Sequence, residues 1–207
     1  VYAMCAAQQE TLDQVLQSYL RSARATVQRA GAAVLAAETV EWKASNQLTR
    51  QAHPVTLPKL ELGGQWLGQN ADPAAPTPIV DEITGQLGCA FTLFQRMNDA
   101  GDMLRVATNV QSEGRRAIGT YIPARGADGQ PSPIVTAILQ GRPYVGRAFV
   151  VDAWYLTAYA PLNDAAGQPV QRVDRGVVEV VRAEQAHQGG QVRAAPTDRG
   201  GGEQQHM

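Results

Sequence analysis

Apolar or small residues recur at Leu16, Leu20, Ala23, Val27, Ala30, Val34 and Ala37, in alternating steps of four and three. That spacing is a heptad seam, and it predicts one long helix over residues 8–51. One column of the seam is Leu20, Val27 and Val34; the other, Leu16, Ala23, Ala30 and Ala37, is small enough to let a partner helix approach closely. At 1.5 Å per residue the helix would be about 60 Å long, more than one sheet can cover. The excess is expected to pack on a second helix, from the same chain or from a copy; an amphipathic core helix fits the pattern equally well. Gly31 weakens the interior by about 1 kcal/mol and marks a bend. The helix is expected to stop at His53-Pro54, because the residue before a proline is pushed out of the α region.

A Gly-rich connection follows (Leu57-Pro58-Lys59-Leu60, then Gly63-Gly64-Gln65-Trp66), and after it a proline-rich loop from Pro73 to Pro78. Pro78 suits the first turn of a short helix over residues 79–86, where its missing N–H costs nothing. The pattern then changes to short β-type segments: 91–98, 101–109, 116–123, 144–151 and 153–162. Turn residues separate them, notably Asn98-Asp99-Ala100-Gly101, Asp128-Gly129 and Asn163-Asp164, as in an antiparallel meander. A second short helix, 134–140, interrupts the meander, and Gly176-Val177-Val178-Glu179-Val180-Val181 reads as a last strand. Helices inserted between the strands of one antiparallel sheet indicate an α+β fold. Residues 183–207, rich in Gln, Gly and Arg, are expected to be disordered.

The chain has 207 residues, enough for one domain with a real core. Net charge is −1, so no basic field points to nucleic acid. Only Lys43 and Lys59 are lysines among its 18 cations. Two cysteines, Cys5 and Cys89, are too few for a disulfide scaffold or a zinc site. They are read as small apolar fillers, with a single bridge left open. No apolar run approaches the roughly 20 residues needed to span a bilayer. No signal peptide is visible, and the start on Val favours a soluble piece of a larger protein over a complete cytoplasmic one.

Catalytic constellations are missing from the pattern. The histidines are His53, His187 and His206, with no Ser/His or Cys/His pairing and no metal spacing. No metal and no cofactor is expected. The strand cations and phenols carry more information. Side chains alternate faces along a strand. Arg96 then shares a face with Phe94, Arg105 with Met103 and Ala107, Tyr121 with Gly119, and Arg147 with Phe149. Small neighbours leave room above the sheet, and an arginine fork suits a carboxylate. Any one of these arginines fits a solvated face or an internal ion pair; the set as a whole points to an anion site. Arg105 and Arg147 would hold the anion, Arg96 would line the site, and Tyr121 and Tyr155 would donate hydroxyls. Lys59 and Trp66 would close over them.

These segments resemble the Cache superfamily, and more closely the single-Cache family known as the Cache 3/Cache 2 fusion domain. The residues that carry the resemblance include Trp42-Lys43-Ala44-Ser45-Asn46-Gln47, Trp66-Leu67-Gly68-Gln69, Phe94-Gln95-Arg96-Met97-Asn98, Gly101-Asp102-Met103-Leu104-Arg105 and Gly146-Arg147-Ala148-Phe149. It extends over roughly residues 5–170. After Gly167 the chain departs from the family, whose last strand is apolar, of the type V-G-x-L-Y-V-G-V.

The resemblance implies a PAS-like sheet behind a long N-terminal helix. It implies a periplasmic sensor domain of a chemoreceptor or sensor kinase, attached to the membrane by segments outside this chain. The expected organisation is a signalling and dimerisation helix over 1–52, a ligand-binding domain over 53–182 and a tail over 183–207. The expected partners are a small carboxylate such as acetate, propionate or pyruvate, and a second copy of the chain paired through the N-terminal helix. A small soluble enzyme acting on a carboxylate, or a structural dimerisation module, are the alternatives.

Overall fold

The structure is a computed structural model that describes residues 2–162 and 177–182, with side chains from Glu10 to Leu162. The tail predicted for 183–207 lies outside the described residues. Helix α1 (Tyr2–Ala30) opens the chain. It is followed by the antiparallel hairpin β1 (Ala33–Asn46) and β2 (Ala52–Leu62), and by the short edge strand β3 (Gln65–Trp66). Helix α2 (Pro78–Leu87) leads into β4 (Ala90–Arg96) and β5 (Met103–Thr108). A two-stranded ribbon, β6 (Gln111–Ser112) and β7 (Arg115–Arg116), precedes β8 (Thr120–Ile122). Helix α3 (Pro133–Leu139), β9 (Tyr144–Val150), β10 (Ala153–Pro161) and β11 (Val177–Arg182) complete the chain.

The helix predicted over 8–51 is therefore a helix followed by a strand. Gly31 does not bend the helix; it ends it. It has φ +121°, and a Cβ there would lie 2.5 Å from Cα of Gly63. Only glycine permits both the turn and the approach of the chain returning from β2. Beyond it the period drops to two: Val40, Trp42 and Ala44 alternate with Glu41, Lys43 and Ser45. The dividing line expected near residue 52 falls inside the hairpin. Strand β2 tolerates Pro54 and Pro58 because β3 pairs only with Glu61 and Leu62, which leaves the earlier part of that edge open.

Nine strands form one sheet in the order β3-β2-β1-β8-β5-β4-β11-β10-β9, antiparallel except for the β1–β8 pair. The predicted last strand is present as β11 and sits between β4 and β10. Two layers of core flank the sheet. On one face Leu16, Leu20, Ala23 and Val27 of α1 and Ile79, Val80 and Ile83 of α2 pack on Leu104, Val106, Leu156 and Ala158. On the other, Ile134, Val135 and Ile138 of α3 pack around Phe94, Met103, Ala148, Val150 and Tyr159. An α+β, PAS-like architecture results.

The first half of the predicted seam is thus used within the chain. Leu16 and Ala23 have no exposed surface, and burial of a leucine of this kind contributes about 1.5–3 kcal/mol. Val34 and Ala37, the end of the seam, lie in β1. The sheet also curls. Gln47 Nε2 donates to the Phe149 carbonyl at 3.0 Å and Arg50 Nη2 to the Val151 carbonyl at 2.6 Å, so the β1–β2 turn meets the β9–β10 turn from the far end of the strand order.

Candidate functional site

The strand cations and phenols divide between the two faces. Arg105 pairs in register with Phe94, and Tyr155 with Ala148, on the face covered by α3. Arg147 pairs with Leu156, and Tyr121 with Leu104, on the face covered by α1 and α2. The structure therefore does not bring Arg147 to Arg105. Arg147 is exposed, with its guanidinium carbon 5.7 Å from the ring centre of Trp154. Tyr121 stands edge-on to His53 at 5.8 Å and lines a 450 Å³ cleft beside Val135 and Leu139 of α3.

The other predicted residues lie apart. Arg96 closes its own turn: Nε donates to the Asn98 carbonyl at 2.6 Å and Nη2 to the Asp99 carbonyl at 2.8 Å. Lys59 pairs with Glu38 at 2.5 Å, and its ammonium lies 4.5 Å above the Trp66 ring. That pair sits at the β2–β3 edge, separated from β5 by β1 and β8. A bulge between Leu93 and Phe94 adds a further change. It turns Ala107 toward Leu93 in the α1-side core, so Ala107 does not make room beside Arg105.

Arg105 remains as the centre of a site. Its side chain is fully buried, and its guanidinium carbon lies 4.9 Å from the Phe94 ring centre. Nη1 donates to Thr120 Oγ1, and that hydroxyl donates to the Ala117 carbonyl at 2.8 Å. A planar cation over an aromatic face is attracted by the ring quadrupole, the more so without water. Tyr159 stands 6.3 Å from Phe94 and 6.1 Å from Tyr144, so three rings form a continuous wall. The Tyr144 hydroxyl donates to the Arg147 carbonyl at 2.9 Å, and burial raises the pKa of this phenol. Gly146 makes this possible, since a Cβ there would lie 2.9 Å from the Tyr144 oxygen.

Phe94, Thr120, Tyr144 and Tyr159 were not singled out from sequence. The signal for Tyr159 was present, because Tyr155, Thr157 and Tyr159 alternate along one strand and must share a face. Tyr144, Gly146 and Ala148 repeat the pattern on the neighbouring strand. Phe94 and Thr120 carried no such signal.

The described polar groups of this assembly include a fixed cation and hydroxyls, which can hold an anion by charge-assisted hydrogen bonds. No group of three or more potential metal ligands occurs among the described residues. Cys89 is a free, buried thiol, and no described helix is long and apolar enough to cross a membrane.

The model of the Cache 3/Cache 2 fusion domain matches residues 1–170. No curated protein and no solved structure matches the chain. The matched region contains α1, the β1–β2 hairpin and every strand through β10, and the architecture is the one this family implies. The chain belongs to the Cache 3/Cache 2 fusion family, non-catalytic ligand-binding domains that serve receptors and kinases as extracytoplasmic sensors.

Proposed function

We propose that the chain is the periplasmic sensing domain of a chemoreceptor or sensor kinase, and that its ligand is a short organic acid such as acetate, propionate or pyruvate. The supporting observation is Arg105, a buried guanidinium on the α3-covered face with the rings of Phe94, Tyr159 and Tyr144 beside it. The guanidinium would take the carboxylate through charge-assisted bonds in exchange for its present partners, and the rings would take the short alkyl chain. Tyr155, half-buried on the same face, is the further hydroxyl donor. Because Arg105 has no exposed surface, α3 must yield for the ligand to enter, and that displacement is the conformational signal.

Two copies would pair through the outward strip of α1, where Gln14, Ser18, Arg21 and Ala25 are exposed, and not through the buried seam.

Thermal-shift and calorimetric titration test the ligand assignment. A ligand at a hundredfold excess over its Kd stabilises the fold by about 2.7 kcal/mol. Arg105→Lys keeps the charge but loses the fork and should weaken binding at least tenfold, whereas Arg147→Ala should not. If millimolar short monocarboxylates leave Tm unchanged while an amine or a sugar raises it, the assignment is wrong.

A further inference from the structure

A separate cleft of about 580 Å³ opens between β1 and the segments that follow β3 and β7. Lys43, Arg50, Arg115 and Arg116 line it, and among its described lining residues Glu41 is the one acid. Two of the four cations are already engaged. Arg116 is ion-paired with Asp81 at 3.0 Å, and Arg50 donates to the Val151 carbonyl. Lys43 and Arg115 are exposed, and among the described residues no hydrogen bond or ion pair engages either side chain. The site therefore holds surplus positive charge, in a chain whose net charge is −1.

We propose that this cleft binds a small dianion, held between Lys43 and Arg115. Charges of one sign gathered in a cleft focus the potential there and concentrate ions of the opposite sign. Arg115 offers a planar fork and Lys43 a mobile point charge, a combination that suits two oxyanion charges carried by one small molecule. The two charges sit on a phosphate monoester or on a dicarboxylate. A monocarboxylate would leave one cation uncompensated. The cleft is distinct from the Arg105 side chain but adjoins its strand: Gly119 lines the cleft and its N–H donates to the Arg105 carbonyl at 2.9 Å. The proposal does not depend on the organic-acid reading of Arg105.

The test is calorimetry on the full chain with inorganic phosphate, glycerol phosphate, succinate and acetate, at low and at physiological ionic strength. Phosphate and glycerol phosphate as the tighter ligands identify the phosphate source, and succinate identifies the dicarboxylate. Either result supports the cleft if Lys43→Gln/Arg115→Gln weakens that dianion at least tenfold and higher salt weakens it as well. Arg125→Gln/Arg142→Gln removes the same charge from exposed positions outside the cleft and should leave dianion binding within twofold. The proposal is overturned if no dianion binds at millimolar concentration. It is equally overturned if both double variants lose binding alike, or if acetate binds the cleft as well as succinate does. Loss of acetate binding in Arg105→Lys alone, with dianion binding retained, separates the two sites.

Discussion

Replacing Arg116 with methionine should destabilise this fold well beyond the range of an ordinary surface substitution. Arg116 is 6 % exposed and joins three segments, the loop before α2, the first turn of α2 and the end of β5. Nη1 donates to the Thr108 carbonyl at 2.9 Å, Nη2 to the Ala75 carbonyl at 3.2 Å and to Asp81 Oδ1 at 3.0 Å, and Nε to the Asp72 carbonyl at 3.3 Å. Its backbone N–H also donates to the Ala71 carbonyl at 2.9 Å. Asp81 in turn accepts the Thr77 N–H at 2.7 Å, so the guanidinium fixes the first turn of α2 as well. Breaking a buried ion pair by removing one partner costs about 3–5 kcal/mol. The Asp81 side chain is 41 % exposed, so water can replace part of the lost interaction. A loss of about 2–4 kcal/mol follows once that screening is allowed for. At about 3 °C per kcal/mol for a chain of this length, Tm falls by about 9 °C. Urea unfolding followed by circular dichroism measures the loss, and a cycle with Asp81→Asn should show a coupling of about 1–2 kcal/mol. A change below about 0.5 kcal/mol, the range of ordinary surface substitutions, would refute the reasoning.

Gly31→Ala should destabilise by about 2–4 kcal/mol, because its Cβ would meet Cα of Gly63 at 2.5 Å; an unchanged urea midpoint would contradict the helix end described above. Burial pushes the Cys89 thiol up to about 11, whereas an unfolded thiol ionises near about 8.5. The neutral thiol favours the fold, so that contribution is complete below about pH 8.5 and is lost as pH rises toward about 11. Tm of the parent chain should therefore fall more steeply over that window than Tm of Cys89→Ala, and parallel curves would refute it. With Cys5 and Cys89 replaced, single cysteines at Ser18, Arg21 or Ala25 should cross-link to their counterparts in a second copy, while cysteines at Leu20 or Val27 should not. Cross-linking confined to the buried pair would overturn the outward dimer face.

Much of the sheet was legible because its turns are written in Asn, Asp and Gly and its strands are short apolar and aromatic runs between them. The segment 153–162 and the short helices were readable for that reason, and their observed bounds agree within a residue or two. The first strand was hidden by coincidence: Val34 and Ala37 extend a heptad count that began correctly at Leu16. The alternation of Val40, Trp42 and Ala44 was the competing signal, and Gly31 the boundary. The site was only half legible. Strand alternation assigns a residue to one of two faces but does not say which face is covered by which helix. The split of Arg105 from Arg147 depends on register across three neighbouring strands, β4, β11 and β10, and on a bulge that no local pattern announces.

The position of β11 governs how this chain must be assembled. Strand β11 is the last described strand to leave the ribosome, yet it lies inside the sheet, bonded to β4 on one side and β10 on the other. Until it arrives, the β4–β5 hairpin and the β9–β10 hairpin are separate half-sheets, each built from contacts between near neighbours in sequence. The pairing of Val181 with Ala90 then has to close a loop that contains every element from β4 to β10. Such non-local closure is entropically costly and slow, so the final insertion should limit the folding rate. During that interval β4 and β10 each present an open edge, the kind of template on which two nascent chains join wrongly. The sheet is therefore completed by a strand that lies beyond residues 1–170, the region the family model matches.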